Sequence, residues 1–301
     1  MFRCCRIPPS SALLFFKLLP DAIVATPFAS SAYLWSNLMH TVSNTIKLHV
    51  EDTGTGTPTL VFLHYWGGSS RTWRHVIHFL TPAFRTIAVD QRGWGRSDKP
   101  LDGYALAVLA DDAQRLIEGM DLDQYILVGH SMGGKVAQLL ASRHPAGLAG
   151  LVLVAPSPPS PMNLPLKVRQ GMVNAYASRE SILATVEQML AASPLQPDDL
   201  ETVVQDSLQG APAARAAWPL VGSQEDITAQ AALIRVPTLV ISGDKDRVDP
   251  PAVLQRELMP RIPQATLHIL PGIGHLSPLE APEDLAHQIR EFITLRTAVT
   301  P

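Results

Sequence analysis

The stretch that most restricts what this chain can fold into is Tyr125-Ile126-Leu127-Val128-Gly129-His130-Ser131-Met132-Gly133-Gly134. Four residues suited to a buried strand run into a G-x-S-x-G turn, and residues 132–141 then carry the pattern of a helix. In that strand–turn–helix setting the turn is so tight that its serine takes a strained backbone angle, with the hydroxyl lifted above the sheet edge. Strand and helix nearly collide there, so small residues are required, and Gly129 and Gly133 supply them. Ser131 is therefore the candidate nucleophile.

The pattern on either side extends the same architecture. Residues 45–50 alternate apolar and polar side chains as a half-buried strand, and 59–63, 86–89, 151–154, 238–242 and 266–270 read as short buried strands. Residues 71–80, 105–119 and 283–295 have apolar positions at helical spacing between them. Such alternation predicts an α/β fold, with a mostly parallel sheet covered by helices on both faces. The rhythm breaks after Val154. Pro156, Pro158, Pro159, Pro161 and Pro165 make a stiff crossing, and from 166 to 233 only helical patterns occur, with Asp198-Asp199-Leu200-Glu201 reading as a capping-box start. Residues 39–156 and 234–301 are thus expected to form one α/β core, and 157–233 a helical lid over one edge of it.

The first 38 residues differ. Arg3 and Arg6 precede an apolar stretch over 13–19 that Lys17 interrupts and Pro20 ends, and Ala29-Ser30-Ser31-Ala32 imitates a cleavage site at a distance. A secretory signal needs a clean apolar run, so the expectation is a disordered extension or an upstream start, with folding beginning near Met39. No run approaches the length that spans a bilayer. Charged residues make up 17% of the chain against 46% hydrophobic, and the net charge of −3 is not gathered into long runs, which disfavours nucleic acid and anionic membranes as partners. Cys4 and Cys5 are the only cysteines, so neither a disulfide framework nor a thiolate metal site is expected. A cytoplasmic setting suits that composition.

A serine hydroxyl attacks poorly unless a base takes its proton and a third group orients the base. In sheets of this kind ligands bind beyond the carboxyl ends of strands, and the partners of an elbow serine follow in the order acid, then histidine. His268 lies within a strand and His287 on the last helix, whereas His275 follows the flexible Pro271-Gly272-Ile273-Gly274 just beyond a strand end. Asp244, Asp246 and Asp249 all follow the strand ending near Gly243. Asp244 suits loop capping and Asp249 abuts Pro250, where a helix would start, which leaves Asp246 as the preferred orienter. Asp90 to Ser97 reads as a glycine turn stabilised by its own charges. No glycine-rich stretch matches a P-loop or dinucleotide fingerprint, and the histidines lack metal-ligand spacing, so no cofactor and no metal are expected.

From about residue 44 to 296 the chain resembles the α/β-hydrolase fold family. The resemblance rests on Leu63-His64 with Gly67-Gly68, Asp90-Gln91-Arg92-Gly93-Trp94-Gly95-Arg96-Ser97, Gly129-His130-Ser131-Met132-Gly133-Gly134, Gly243-Asp244-Lys245-Asp246 and Gly274-His275. It implies Ser131 as nucleophile, His275 as base and Asp246 as orienter. It also implies an oxyanion hole from the backbone N–H groups of Met132 and, by alignment, Trp66. One position departs from the family: Tyr65 stands where His-Gly is usual, and a bulky residue does not readily take glycine's dihedrals. Its phenol either enters the pocket or packs under the lid. His64, Tyr65, Trp94 and His130 are the further pocket candidates. The branch resembled holds small esterases, lactonases, cofactor-free haloperoxidase-type perhydrolases and carbon–carbon bond hydrolases. The expectation is a hydrolase of a small ester, thioester or lactone substrate, with perhydrolysis or carbon–carbon cleavage as the alternative and a slow-turnover ligand sensor as a third.

Overall fold

A computed structural model describes residues 36–297, apart from 44, 45 and 82. Eight strands are found among the described residues: β1 Ser36–Ser43, β2 Ile46–Thr53, β3 Thr59–Leu63, β4 Thr86–Val89, β5 Tyr125–His130, β6 Leu148–Val154, β7 Thr238–Gly243 and β8 Ala265–Leu270. They form one sheet in the order β1-β2-β4-β3-β5-β6-β7-β8. β1 pairs antiparallel with β2, and β2 with β4; all the other pairs are parallel.

The sheet alternates its side chains between two apolar layers, as the pleat requires. Leu60, Phe62, Ile126, Val128, Val152 and Ile241 face one layer, shared with Trp73, Ile77, Leu285 and Ile289. Trp73 ends the 3-10 turn Ser70–Trp73, and the helices Arg74–Leu80 and Pro282–Thr297 supply the others. Val61, Leu63, Leu127, Leu151, Leu153 and Val240 face the other, with Leu109, Leu116, Val136 and Leu140. Those come from the helices Leu106–Gly119 and Met132–Ala141. Because both faces are covered, the parallel strands are apolar at nearly every position.

Two expectations need correction. The start expected near Met39 shifts by three residues: β1 begins at Ser36, so residues 36–38 belong to the sheet, and residues 1–35 of the expected extension lie outside the described residues. β1 is an edge strand exposed at most positions, so it lacks the alternation that reveals a half-buried strand. The capping box at 198–201 is also absent. The helix is Pro197–Gln209, with Gln196 as its cap residue, no side-chain cap and Pro197 in the first turn. Asp199 pairs instead with Arg74 and His75.

Between β6 and β7 the described chain contains only helices, from Leu166–Met172 to Thr228–Ala231, including a π-helical turn at Val186–Leu190. Among the described residues no helix is long and apolar enough to cross a membrane.

Candidate active site

Ser131 sits between β5 and its helix at φ 53°, ψ −115°, a conformation that non-glycine residues avoid. The surroundings over-determine that angle. Its N–H donates to the Val154 carbonyl (3.1 Å), and its own carbonyl accepts from the N–H groups of Lys135 and Ser157 (both 3.1 Å). A methyl group on Gly133 would lie 2.5 Å from the Leu63 carbonyl oxygen, and one on Gly129 would lie 2.5 Å from that of Gly133. The two glycines therefore let the helix start directly against the ends of β3 and β5, where Leu63 is in register with Gly129. Met132 opens the helix, and the first amides of a helix have no acceptor within it.

The loop after β3 answers the question raised by Tyr65. The positive dihedral falls at Gly67 (φ 100°), where a side chain would strike the Tyr176 ring, and Tyr65 does not share it. Tyr65 is buried, with its ring 5.2 Å from that of His130 and its hydroxyl without a partner among the described residues. Trp66 stacks on Tyr176 (4.3 Å between centroids), its carbonyl accepts from the Tyr176 hydroxyl (2.9 Å), and its indole N–H donates to the Arg215 carbonyl (3.2 Å).

His275 follows β8 and Asp246 follows β7. His275 Nδ1 lies 2.8 Å from Asp246 Oδ2, with both side chains buried. The other carboxylate oxygen, Oδ1, accepts from the N–H groups of Val248 (2.8 Å) and Asp249 (3.1 Å). Burial opposes the charge on Asp246, but the His275 ring and those two amides outweigh it and hold its pKa below the ordinary value. Burial likewise opposes protonation of His275, and Asp246, with smaller help from Asp249 and Glu280, reverses that and raises its pKa. With Nδ1 engaged, Nε2 is the nitrogen left to act on a proton.

Ser131 and His275 line one cavity of about 400 Å³. Tyr65 and Trp66 form part of its wall, and the helical segment contributes Met172, Tyr176 and Trp218. The other pocket candidates do not line it. His64 is fully buried, its Nδ1 near the Tyr65 carbonyl (2.7 Å) and its Nε2 accepting from the Gln91 N–H (3.0 Å), and burial lowers its pKa to about 4. His130 Nε2 donates to the His275 carbonyl (2.8 Å), and burial lowers its pKa to about 3, so it supports the His275 loop as a neutral ring. Trp94 packs against Gly210 beneath the helical segment. Asp90 is a structural acid: although burial opposes its charge, His49 and the amides of Arg96 and Ser70 bring its pKa to about 2. Arg92 pairs with Asp112 rather than with Asp90. Asp244 accepts from the Gly272 N–H, a loop-capping role that suits its place in the sequence.

Sequence reasoning missed two things. Asp249 also lines the cavity; a helix does start beside it, as its abutment with Pro250 implies, but Pro250 is the cap residue of Pro251–Glu257 and no side chain caps it. The helical segment also grips the His275 loop, since the Leu190 carbonyl accepts from the N–H groups of His275 (2.8 Å) and Leu276 (3.1 Å). Glu280 ties the same parts together through the amides of Ala192 and Gly274. Among the described residues no cluster of three or more His, Cys, Asp or Glu could hold a metal ion.

Comparison with known proteins agrees with this architecture. The profile of the alpha/beta hydrolase fold family matches residues 58–282. An AB hydrolase superfamily protein of Bacillus subtilis is 30% identical over 257 residues, covering 82% of this chain and 95% of that protein. A non-heme haloperoxidase of Rhodococcus erythropolis is also 30% identical over 257 residues, covering 78% and 91%. Among solved structures, an esterase from Exiguobacterium antarcticum superposes with a TM-score of 0.80 at 23% identity, covering 86% of this chain and all of that one.

Proposed function

Since the chain belongs to the alpha/beta hydrolase fold family, we propose that this hydrolase cleaves a small carboxylic ester, thioester or lactone through an acyl-enzyme on Ser131. One observation carries the reading: a serine held at a strained positive φ shares a cavity with a histidine whose far nitrogen is bonded to a buried aspartate. In the proposed cycle Ser131 Oγ attacks the carbonyl carbon while His275 Nε2 takes the hydroxyl proton, and Asp246 stabilises the imidazolium. The amides of Met132 and Trp66 hold the oxyanion, and the imidazolium returns its proton to the departing alcohol, thiol or ring oxygen. Water, deprotonated by His275, then releases the acid. The helices between β6 and β7 act as the lid, and their Met172, Tyr176 and Trp218 favour an apolar group in the cavity.

A fluorophosphonate probe with mass-spectrometric mapping tests the nucleophile, and an ester and lactone panel tests the reaction. Ser131→Ala is expected to abolish labelling and to lower kcat by about 10⁴-fold or more. Undiminished ester hydrolysis by that variant would overturn the assignment.

The haloperoxidase-named relative favours a second reading, in which hydrogen peroxide replaces water at the acyl-enzyme and the product is a peracid. The same triad serves both. Measuring peracid and acid in one preparation, with ester and peroxide both supplied, separates them.

A further inference from the structure

Asp249 has no structural employment that explains its place. It is 3% exposed, and its Oδ2 is buried without a hydrogen-bond partner among the described residues. It caps no helix, and its bond to the triad runs through its backbone N–H, leaving the side chain out. Lys135, the nearby buried cation, donates to the Ser160 carbonyl (3.1 Å). Burial raises the Asp249 pKa to about 7; His275 and Lys135 act against that shift and Asp246 reinforces it. A carboxyl oxygen orphaned in this way destabilises the free protein. Its one distinctive property is position, because it shares the lining of the cavity that holds Ser131 and His275.

The remaining lining restricts what Asp249 can meet. Met162, Leu164, Val168 and Met172 are apolar, the Tyr65 hydroxyl is likewise buried without a partner among the described residues, and Arg247 is exposed and donates to the carbonyls of Glu187 and Gln188. An ammonium or carboxylate on a ligand would be desolvated there, and each suits only one protonation state of Asp249. A hydroxyl both donates and accepts, so it pairs with the carboxyl in either state.

We propose that Asp249 is a recognition group of this cavity and that the natural substrate carries an uncharged hydroxyl on the part bound there. This deepens the reading of Ser131 as the nucleophile and rests on it. Asp249 Oδ2 has almost no accessible surface in the free protein, so the carboxyl turns toward the cavity to meet the substrate hydroxyl, and its orphaned oxygen gains a partner only then.

The test compares ethyl hexanoate with matched esters that bear one hydroxyl, moved along the acyl chain and then along the alcohol. Wild-type protein, Asp249→Asn and Asp249→Val are each assayed. In the wild type one hydroxylated ester should exceed the plain ester in kcat/KM by about tenfold. Asp249→Asn, which keeps a donor and an acceptor, should retain that preference. Asp249→Val should invert it, improving on the plain ester and losing the hydroxylated one, and its Tm should rise because the orphaned group is gone. The proposal is overturned if the wild type shows no hydroxyl preference at any position. It is equally overturned if Asp249→Val keeps the preference, or slows both esters alike, which would make Asp249 a support for Asp246 only. Fluorophosphonate labelling of the same preparations separates the two claims: labelled Ser131 without a hydroxyl preference refutes Asp249 alone, and a wild type that neither labels nor hydrolyses any ester refutes both.

Discussion

Ser131 and His275 reach the same cavity by different routes. The serine is fixed by the sheet: its backbone bonds run to the end of β6, to its own helix and to Ser157, and Gly133 lets that helix press on β3. The His275 loop and the loop after β3 are held by the helical segment between β6 and β7. Leu190 and Ala192 secure the first, while Tyr176, Arg215 and Ser207 secure the second, Ser207 through the Gly67 carbonyl (3.0 Å). The proposed nucleophile is therefore held by the backbone of the sheet and its adjoining turn, and the proposed base and second oxyanion donor by contacts from the helical segment. Disturbing the first should damage the fold itself. Disturbing the second should alter activity while the fold survives.

The sharpest way to break this contrast is Gly133→Ala. The new methyl group meets the carbonyl oxygens of Leu63 (2.5 Å) and His64 (2.6 Å), which are backbone and have little freedom to move. A destabilisation of about 2–4 kcal/mol is expected, read as a lowered Tm or denaturant midpoint, with loss of activity in the remaining folded fraction. A variant of wild-type stability would show that the elbow is less constrained than its contacts imply.

The next test concerns pH. Ser131 does not titrate in the working range, so the acid limb should belong to His275, with Asp249, whose pKa burial raises to about 7, titrating beside it. In the proposed cycle its neutral form is the base, and Asp246, Asp249 and Glu280 all favour the protonated form. Activity should therefore fall as pH drops through a midpoint above histidine's ordinary value of about 6.5, by about tenfold per unit once well below it. Asp246→Asn removes the largest of those influences and should move the midpoint down. A limb that stays in place in that variant would mean that another group controls it.

The same division explains what the sequence revealed. The elbow, the buried strands and the Gly243-to-Asp246 and Gly274-His275 turns were legible because each is a local constraint that leaves its residues in adjacent positions. β1 was not, because an exposed edge strand needs no apolar alternation. Tyr65 looked like an obstacle only because the loop's positive dihedral was expected there rather than two residues later at Gly67. Asp249 and the grip of Leu190 and Glu280 were hidden for a common reason. They depend on which segments meet in space, and no short pattern records that.

The finest probe of the comparison is Tyr176→Phe. The ring would remain stacked on Trp66, and only the hydroxyl bond to the Trp66 carbonyl would be lost. The cost in stability should be about 0.5–1.5 kcal/mol, and kcat/KM should fall by about two- to tenfold. The ratio of the two effects is informative. If Trp66 supplies an oxyanion donor, loosening its peptide should lower kcat more than it raises KM, since the oxyanion exists only in the transition state. A rise in KM at unchanged kcat would instead make Tyr176 and Trp66 a binding wall, and would leave Met132 as the donor supplied by the rigid half of the site.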